Sequence, residues 1–517
     1  MQRWKLVLTM VAVPALAHAD LLRVALDGDA GGGTGSGAAA PPSEQANDLR
    51  SWAGDPKATS LPELIQFAMQ HAPALASAKL DIAVAEAQIA ETWARRDWRL
   101  GAQVQYSRAG ASSFSGVPVE DSIQGYGEID IGRMLPTGGT IGLKAESSYS
   151  KASILGGTQK NWTDNVSITL NQPLLKGYGP TLYNAQERRA TLTRDAAVLG
   201  RRLSALNTIE AVVSAYWDLV LAEQQVAITE QSLALARERL RVTEIQVKGG
   251  KVADAEVPAV QQIIATREED VLNGELAVLD RSIALRRAVG LPIGAGEMGL
   301  RVTTELGAKD TALNLADLVQ RTFDAAPQLA QLDKNEQAAT IDVEVNDNGL
   351  LPQLDLALQA GPNGQDRLFG GSWRDTAKFE SYQVAGTLTF SQTLHKYDVK
   401  YRSRELRSVR EKVRVNAADV RAQLAQGMAQ AVAQIEVAKR RLVLSERAIE
   451  LAKANIRIET DRFNLGRSTN FDVLNRLEEQ RQAELRRAQA LIDWHKAETV
   501  VQTLTGDLLP AFGVSVD

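Results

Sequence analysis

The chain repeats itself over a distance too long for any array of small repeats. Leu61 to Ala76 returns as Leu315 to Ala330 at a constant shift of 254 residues, with Leu64/Leu318, Gln66/Gln320, Ala72/Ala326, Pro73/Pro327 and Leu75/Leu329 identical. Farther on the shift becomes 216: Gly250 matches Gly466, Glu256-Val257 matches Asp472-Val473, Glu230 matches Glu446 and Gly290 matches Gly506. Two copies of one domain-sized unit are therefore present, and the first carries 38 extra residues between the two sets of matches. Such a period excludes solenoids, whose units run to roughly 20–50 residues.

What fills each copy constrains the fold further. Apolar residues alternate with polar ones at Leu100, Ala102, Val104 and Tyr106, at Ile141, Leu143 and Ala145, and at Val166, Ile168 and Leu170. The second copy does the same at Leu354, Leu356, Leu358 and Ala360, and from Tyr382 to Phe390. Period two means strands. Fifteen of the 26 aromatic residues fall between Trp98 and Tyr183 or between Phe369 and Tyr401. A concentration of rings at strand ends suits a barrel at a membrane interface, where amphipathic Trp and Tyr settle; a soluble sandwich is the plainer reading.

The N-terminus bears on that choice. Arg3 and Lys5 precede an apolar stretch from Leu6 to Leu16, and Ala17-His18-Ala19 forms a small-x-small cleavage site, so residues 1–19 read as a signal peptide. No later apolar run reaches the roughly 18 residues of a membrane-spanning helix. The absence of cysteine excludes disulfides, thiol catalysis and a lipidated N-terminal Cys. If a membrane holds the chain, a closed barrel must do so, because an open sheet edge leaves backbone groups unsatisfied in lipid.

The remaining sequence is helical in character. Between Thr181 and Val247 there is no proline and one glycine, Gly200, among good helix formers. In the second copy Leu424, Met428, Ala431, Ile435, Ala438, Leu442, Ser445, Ile449, Ala452 and Ile456 step by four and three in turn, a coiled-coil seam. Both rods turn at matching places. Gly250 and Gly466 end one helix, Asp254 or Asn470 is placed to cap the next, and Glu256 and Asp472 fall near its positive end, where dipole compensation alone would favour them. The expected organisation is a Gly/Ala/Pro-rich segment at 20–58, a first repeat at 59–300 with strands about 99–172, a second at 301–509 with strands about 353–392, and a tail at 510–517.

Phe463-x-x-Gly466 followed by Asp472-Val473-Leu474, its weaker partner at 247–257, Gln172-Pro173-Leu174-Leu175, and the paired Ala-Pro steps at 72–73 and 326–327 together resemble the TolC family of outer-membrane efflux and secretion channels. The resemblance spans about Leu61 to Leu508 and implies a mainly α fold with a β-barrel portion. In it, three protomers form a transmembrane β-barrel continued by a periplasmic α-helical barrel. It implies a passive duct in the outer-membrane lipid, docked to a periplasmic adaptor and an inner-membrane pump of RND, ABC or MFS type, serving efflux or type I secretion. By the same resemblance Gly466, Ser468, Asp472 and Asn475 stand at the periplasmic entrance, with Gly250, Asp254 and Glu256 at the first-repeat tip. Asn475 replaces the family's second acidic position, which weakens a cation-selective ring, and Ser468 replaces a basic latch residue. Gln392-Thr393-Leu394 departs from the expected Gln-Pro-Leu.

The family's usual two strands per copy predicts twelve in a trimer. The alternating runs Ile123–Ile131 and Thr140–Tyr149 around Leu135-Pro136-Thr137-Gly138-Gly139 could add a pair, making eighteen. Glu128 and Asp130, tolerable only facing water, favour twelve, with this segment a hairpin outside the lipid or simply longer strands. Other classes fit less well. His18, His71, His395 and His495 stand singly without metal-ligand spacing, no nucleophile elbow or phosphate loop occurs, and a net charge of -5 gives no reason to expect nucleic acid. No cofactor or catalytic group is expected. The alternative is an exported, non-channel coiled-coil structural or surface protein, which would not need two strand blocks inside a duplication.

Overall fold

The structure, a computed structural model, describes residues 58–114, 117–154, 157–250, 252–294, 297–303 and 313–514. The signal peptide, nearly all of the Gly/Ala/Pro-rich segment and the last three residues of the tail lie outside the described residues.

Each copy opens on a helix pair broken by proline. A short strand, β1 (Ala58–Thr59), leads to α1 (Leu61–His71), whose Ser60 and Glu63 form a capping box, and to α2 (Pro73–Thr92). Pro73 tolerates the first turn of α2 but cannot continue α1, so Ala72 is extended between them. The same construction recurs in α5 and α6 below. Four strands follow: β2 (Arg99–Phe114), β3 (Val117–Met134), β4 (Thr140–Ile154) and β5 (Gly157–Pro173). The 64-residue α3 (Ala185–Lys248) returns as α4 (Glu256–Val289), and β6 (Arg301–Val302) pairs in parallel with β1. The second copy runs α5 (Leu315–Ala325), α6 (Pro327–Asn348), β7 (Gln353–Asp366), the short α7 (Phe369–Ala377), β8 (Ser381–Ser391), the 68-residue α8 (Tyr397–Asn464) and α9 (Asn470–Thr505). At about 1.5 Å per residue α8 is about 100 Å long. Among the described residues no helix is long and apolar enough to cross a membrane.

The rods are held at mid-length by two cores. Ile65 and Ala68 of α1, Ile209, Val212 and Leu219 of α3, and Leu285 and Val289 of α4 are fully buried together. Met428, Ala431, Ile435 and Ala438 of α8 pack against Trp494, Ala497 and Val501 of α9, with Leu318 of α5 closing the cluster. The stepping of four and three along α8 thus becomes its contact edge, with alternating small residues admitting close approach.

The six long strands form one antiparallel sheet in the order β2-β3-β4-β5-β7-β8. This corrects the expectation of two strands per copy: the first copy supplies four, and the hairpin that follows Ile123 is β3–β4 within the sheet. Its turn at 135–139 closes through Leu135 N–H to Gly139 O at 2.7 Å, with Gly138 at φ 86, where a side chain would be strained. The acidic residues are accommodated because they share the polar face. In register, Gln103, Glu128, Glu146, Asn165 and Asn363 form one row across five strands. Lys144 bonds Glu128 at 3.3 Å and Glu146 at 2.9 Å, and Tyr126 donates to Glu128. The opposite face carries Leu100, Ile131, Leu143, Ile168, Ala360 and Val384 in one row, with Ala102, Ile129, Ala145 and Val166 in the next.

Exposure on the two faces is inverted relative to a soluble sheet. Val104 is 88% exposed, Leu100 74% and Ile168 59%, whereas the side chains of Glu128, Glu146 and Lys144 are only 20%, 26% and 30% exposed. The charged face is thus the more enclosed and the apolar face the more open, which suits a barrel in lipid around a watery lumen and no soluble sandwich.

Candidate functional site

Far from the sheet, the two helical hairpins turn side by side. In the second, Gly466 adopts φ 69 after α8, its N–H reaching Phe463 O at 2.9 Å while Arg467 N–H reaches Arg462 O at 2.8 Å. Such a paired closure satisfies helix-end carbonyls and needs a residue without a Cβ. In the first, Gly250 adopts φ 66 and its N–H reaches Val247 O at 2.9 Å.

The returning helices start differently from the sequence expectation. Thr469, not Asn470, caps α9. Its hydroxyl accepts the Asp472 N–H at 3.3 Å, and the Asp472 carboxylate accepts the Thr469 N–H at 3.0 Å and hydroxyl at 2.7 Å, a reciprocal box. Asp254 caps nothing with its side chain; the residue before α4 is Ala255, and Asp254 contributes only its carbonyl, to Val257 N–H. Ser468 donates to Glu459 at 2.5 Å and to Asp472 at 3.3 Å. The Thr469 side-chain and backbone bonds, helped by Ser468 and the Arg462 charge, hold the Asp472 carboxyl below its ordinary range, so it is ionised at neutral pH. Asn475, one turn along, is exposed.

Asn470 instead joins the two repeats. It is 1% exposed and accepts from Arg239 Nε at 2.8 Å and the Thr243 hydroxyl at 3.2 Å, both on α3. Its amide donates to Glu256 of α4 at 3.2 Å. Arg239 lies 3.9 Å over the Phe463 ring of α8, so one guanidinium touches both hairpins. Burial pulls Arg239 down from its ordinary value while the Glu256 charge opposes this. The first-repeat Glu256 therefore has a partner in the second repeat, beyond any dipole role. Arg239 and Thr243 carry no signal in the sequence: they sit on a polar helix and become special only when Asn470 is pressed against them.

A second bridge lies a few turns behind. Arg267 of α4 pairs with Glu478 of α9, which also accepts from Arg481 at 2.7 Å and Gln482 at 2.9 Å. Burial alone would raise the Glu478 carboxyl, but these hydrogen bonds and the Arg481 and Arg267 charges outweigh it and lower it to about 2. Beside the turn, Leu465 and Phe471 are left 71% and 64% exposed. Among the described residues no cluster of His, Asp or Glu could hold a metal ion.

Two stretches, 135–291 and 318–507, together more than half of the chain, match the family model of outer membrane efflux proteins. No curated protein matches the sequence. Among solved structures, the CmeC outer membrane channel of Campylobacter jejuni is similar at 13% identity and a TM-score of 0.64, covering 87% of this chain and 86% of its own. VceC of Vibrio cholerae is similar at 14% identity and a TM-score of 0.62, covering 88% and 97%. The open state of the MtrE outer membrane channel of Neisseria gonorrhoeae gives 17% identity and a TM-score of 0.61, covering 87% and 89%.

Proposed function

This chain belongs to the outer membrane efflux protein family, and from that premise we propose that three copies build one continuous exit duct whose periplasmic entrance is the pair of helical tips. The inverted polarity of the sheet carries the reading. Each sheet ends on β2 and β8, two edges without a strand partner among the described residues of the protomer. Lipid tolerates no such edge, and β8 runs antiparallel to the β2 of a following copy, so pairing them closes a barrel. Six strands per copy then give eighteen, an even number as such barrels require. Since barrel diameter grows roughly linearly with strand number, the pore is about half again as wide as one of twelve.

Below the membrane the rods cross the periplasm and bring Asp472 of each copy to the entrance. An ionised ring there favours cations electrostatically, while Asn475 adds hydrogen-bonding capacity without charge. Opening parts the hairpins, and the Asn470 joint resists it within each protomer. The exposed Leu465 and Phe471 offer an apolar foothold for a periplasmic adaptor, which couples the duct to an RND, ABC or MFS pump; the chain itself supplies a path, not energy or catalysis. Single-channel conductance in a planar bilayer tests this. Wild type should conduct and be blocked by a divalent or trivalent cation, with block relieved in Asp472→Ala. Block unaltered by that substitution removes the ring, and no conductance from correctly folded trimer removes the duct.

A further inference from the structure

At the end of the sheet away from the helices, the outward face changes character in two steps. Tyr149 of β4 and Trp162 of β5 stand in register with rings 4.7 Å apart, and Phe369 at the start of α7 meets Trp162 edge-on at 4.9 Å. Two residues farther out on the same face, about 7 Å along the strands, the register sets Lys151 directly opposite Lys160. Arg108 belongs to the same row, beyond Ile123.

Like charges directly opposed across strands destabilise a sheet unless something neutralises them. Among the described residues neither lysine has a carboxylate partner. Asp164 and Asp366, which lie on the same face beside them, are otherwise engaged. Asp164, fully buried under α7, accepts the Ser372 hydroxyl, and Thr376 bonds its carbonyl at 3.4 Å. Asp366 accepts the Leu368 N–H at 2.8 Å. Gly364 makes room for α7, since a Cβ there would lie 2.1 Å from Ser372 O. The helix is thus clasped to the outward face with Leu368 and Phe369 exposed beside the aromatic pair.

We infer that Lys151 and Lys160 bind the phosphate headgroup of an outer-leaflet lipid, whose acyl chains descend over Tyr149, Trp162 and Phe369. The order of chemistry matches a bilayer read from the outside inward: anion, then amphipathic rings, then the apolar band of Leu143 and Ile168. A phosphomonoester carries the charge to neutralise two ammonium groups, and the rings cover the glycerol or sugar level beneath it. The inference rests on the lipid-facing reading of this face.

The test uses full-length protein reconstituted in phosphatidylcholine vesicles, with or without a minor fraction of lipid A or of the same lipid dephosphorylated. Lipid retained by the purified trimer is read by native mass spectrometry, together with thermal unfolding. Wild type should retain the phosphorylated lipid and be stabilised by it alone. Lys151→Gln with Lys160→Gln should retain it about 30-fold less, at about 1 kcal/mol per basic residue near an anionic surface, whereas the double Arg variant should hold it. In phosphatidylcholine alone the double Gln variant should unfold at a higher temperature than wild type, since the repulsion is gone. Equal retention by the double Gln variant, indifference to dephosphorylation, or displacement by inorganic phosphate would each overturn the inference. Failure to insert into any vesicle would instead overturn the barrel.

Discussion

Replacing Asn470 by Leu should loosen the entrance. The side chain is 1% exposed and close to Leu in volume, so the substitution leaves little cavity and isolates the hydrogen bonds. Three are lost: from Arg239 at 2.8 Å, from Thr243 at 3.2 Å and to Glu256 at 3.2 Å. The first and last involve charged groups, worth about 1.5–3 kcal/mol each when buried, and the loss strands an Arg239 whose Nη2 already has no partner. Because Arg239 keeps its ring contact and the charge of Glu256, a net cost of about 3 kcal/mol per protomer is reasonable, shifting the equilibrium between joined and parted hairpins by about 150-fold. Single-channel recording should show longer open dwell times, and cells carrying the variant should admit bulky hydrophilic antibiotics. Gln489→Leu, exposed farther along the same helix, should change neither. An Asn470→Leu trimer with wild-type dwell times and permeability would show that the joint does not restrain the entrance.

Three further outcomes follow from local geometry. Thr469→Ala removes the hydroxyl half of the cap and should cost about 1 kcal/mol of local stability, seen as faster amide exchange over the first turn of α9 and not over α4. Burial, only partly offset by Arg301 and the Val302 N–H, raises the Glu223 carboxyl to about 7, so the folded chain binds an extra proton between the ordinary carboxylate value and that pH, and stability falls as pH rises through this window. Glu223→Gln should therefore raise the melting temperature at pH 8, by the equivalent of about 2 kcal/mol after discounting for partial exposure, and leave it unchanged at pH 4. Glu478 has the opposite sign: with its carboxyl lowered to about 2, its contribution is present above the ordinary carboxylate range and disappears as pH falls toward 2. Glu478→Gln should destabilise at pH 7 by about 1–2 kcal/mol, allowing for solvent screening, and have no effect at pH 2, as denaturant titration would report.

Much of this architecture is legible because it rests on period. The 254- and 216-residue shifts expose the duplication, two-residue alternation locates the strands but covers only part of most of them, as Leu100–Tyr106 does of Arg99–Phe114, and the seam from Leu424 to Ile456 marks the edge of α8 that packs on α9. Glu128 and Asp130, taken from the sequence alone, favour too few strands. Both sit on the polar face, but alternation alone cannot say whether that face looks into a lumen or away from the sheet altogether; the cross-strand row from Gln103 to Asn363 answers that. Helix α7 went unseen because Gly370-Gly371 lowers helical propensity and the helix exists by clasping Asp164 across a distance of about 200 residues in sequence.

At the tips the division is sharper. Gly250 and Gly466 declared the turns by themselves, since a left-handed residue after a long helix calls for glycine wherever the helix packs. Asp472 likewise announced itself as an acidic residue in a first turn, an effect confined to its own helix. Which residues meet across the repeats could not be read this way. Asn470 looked like a cap and is a buried joint, while Arg239, more than 200 residues earlier, looked like one more solvated arginine. Local backbone geometry and periodic burial are written within a few residues of the groups concerned, so the sequence determines them. Partners chosen by the docking of one hairpin on another depend on how two long rods align, and only the tertiary structure decides that.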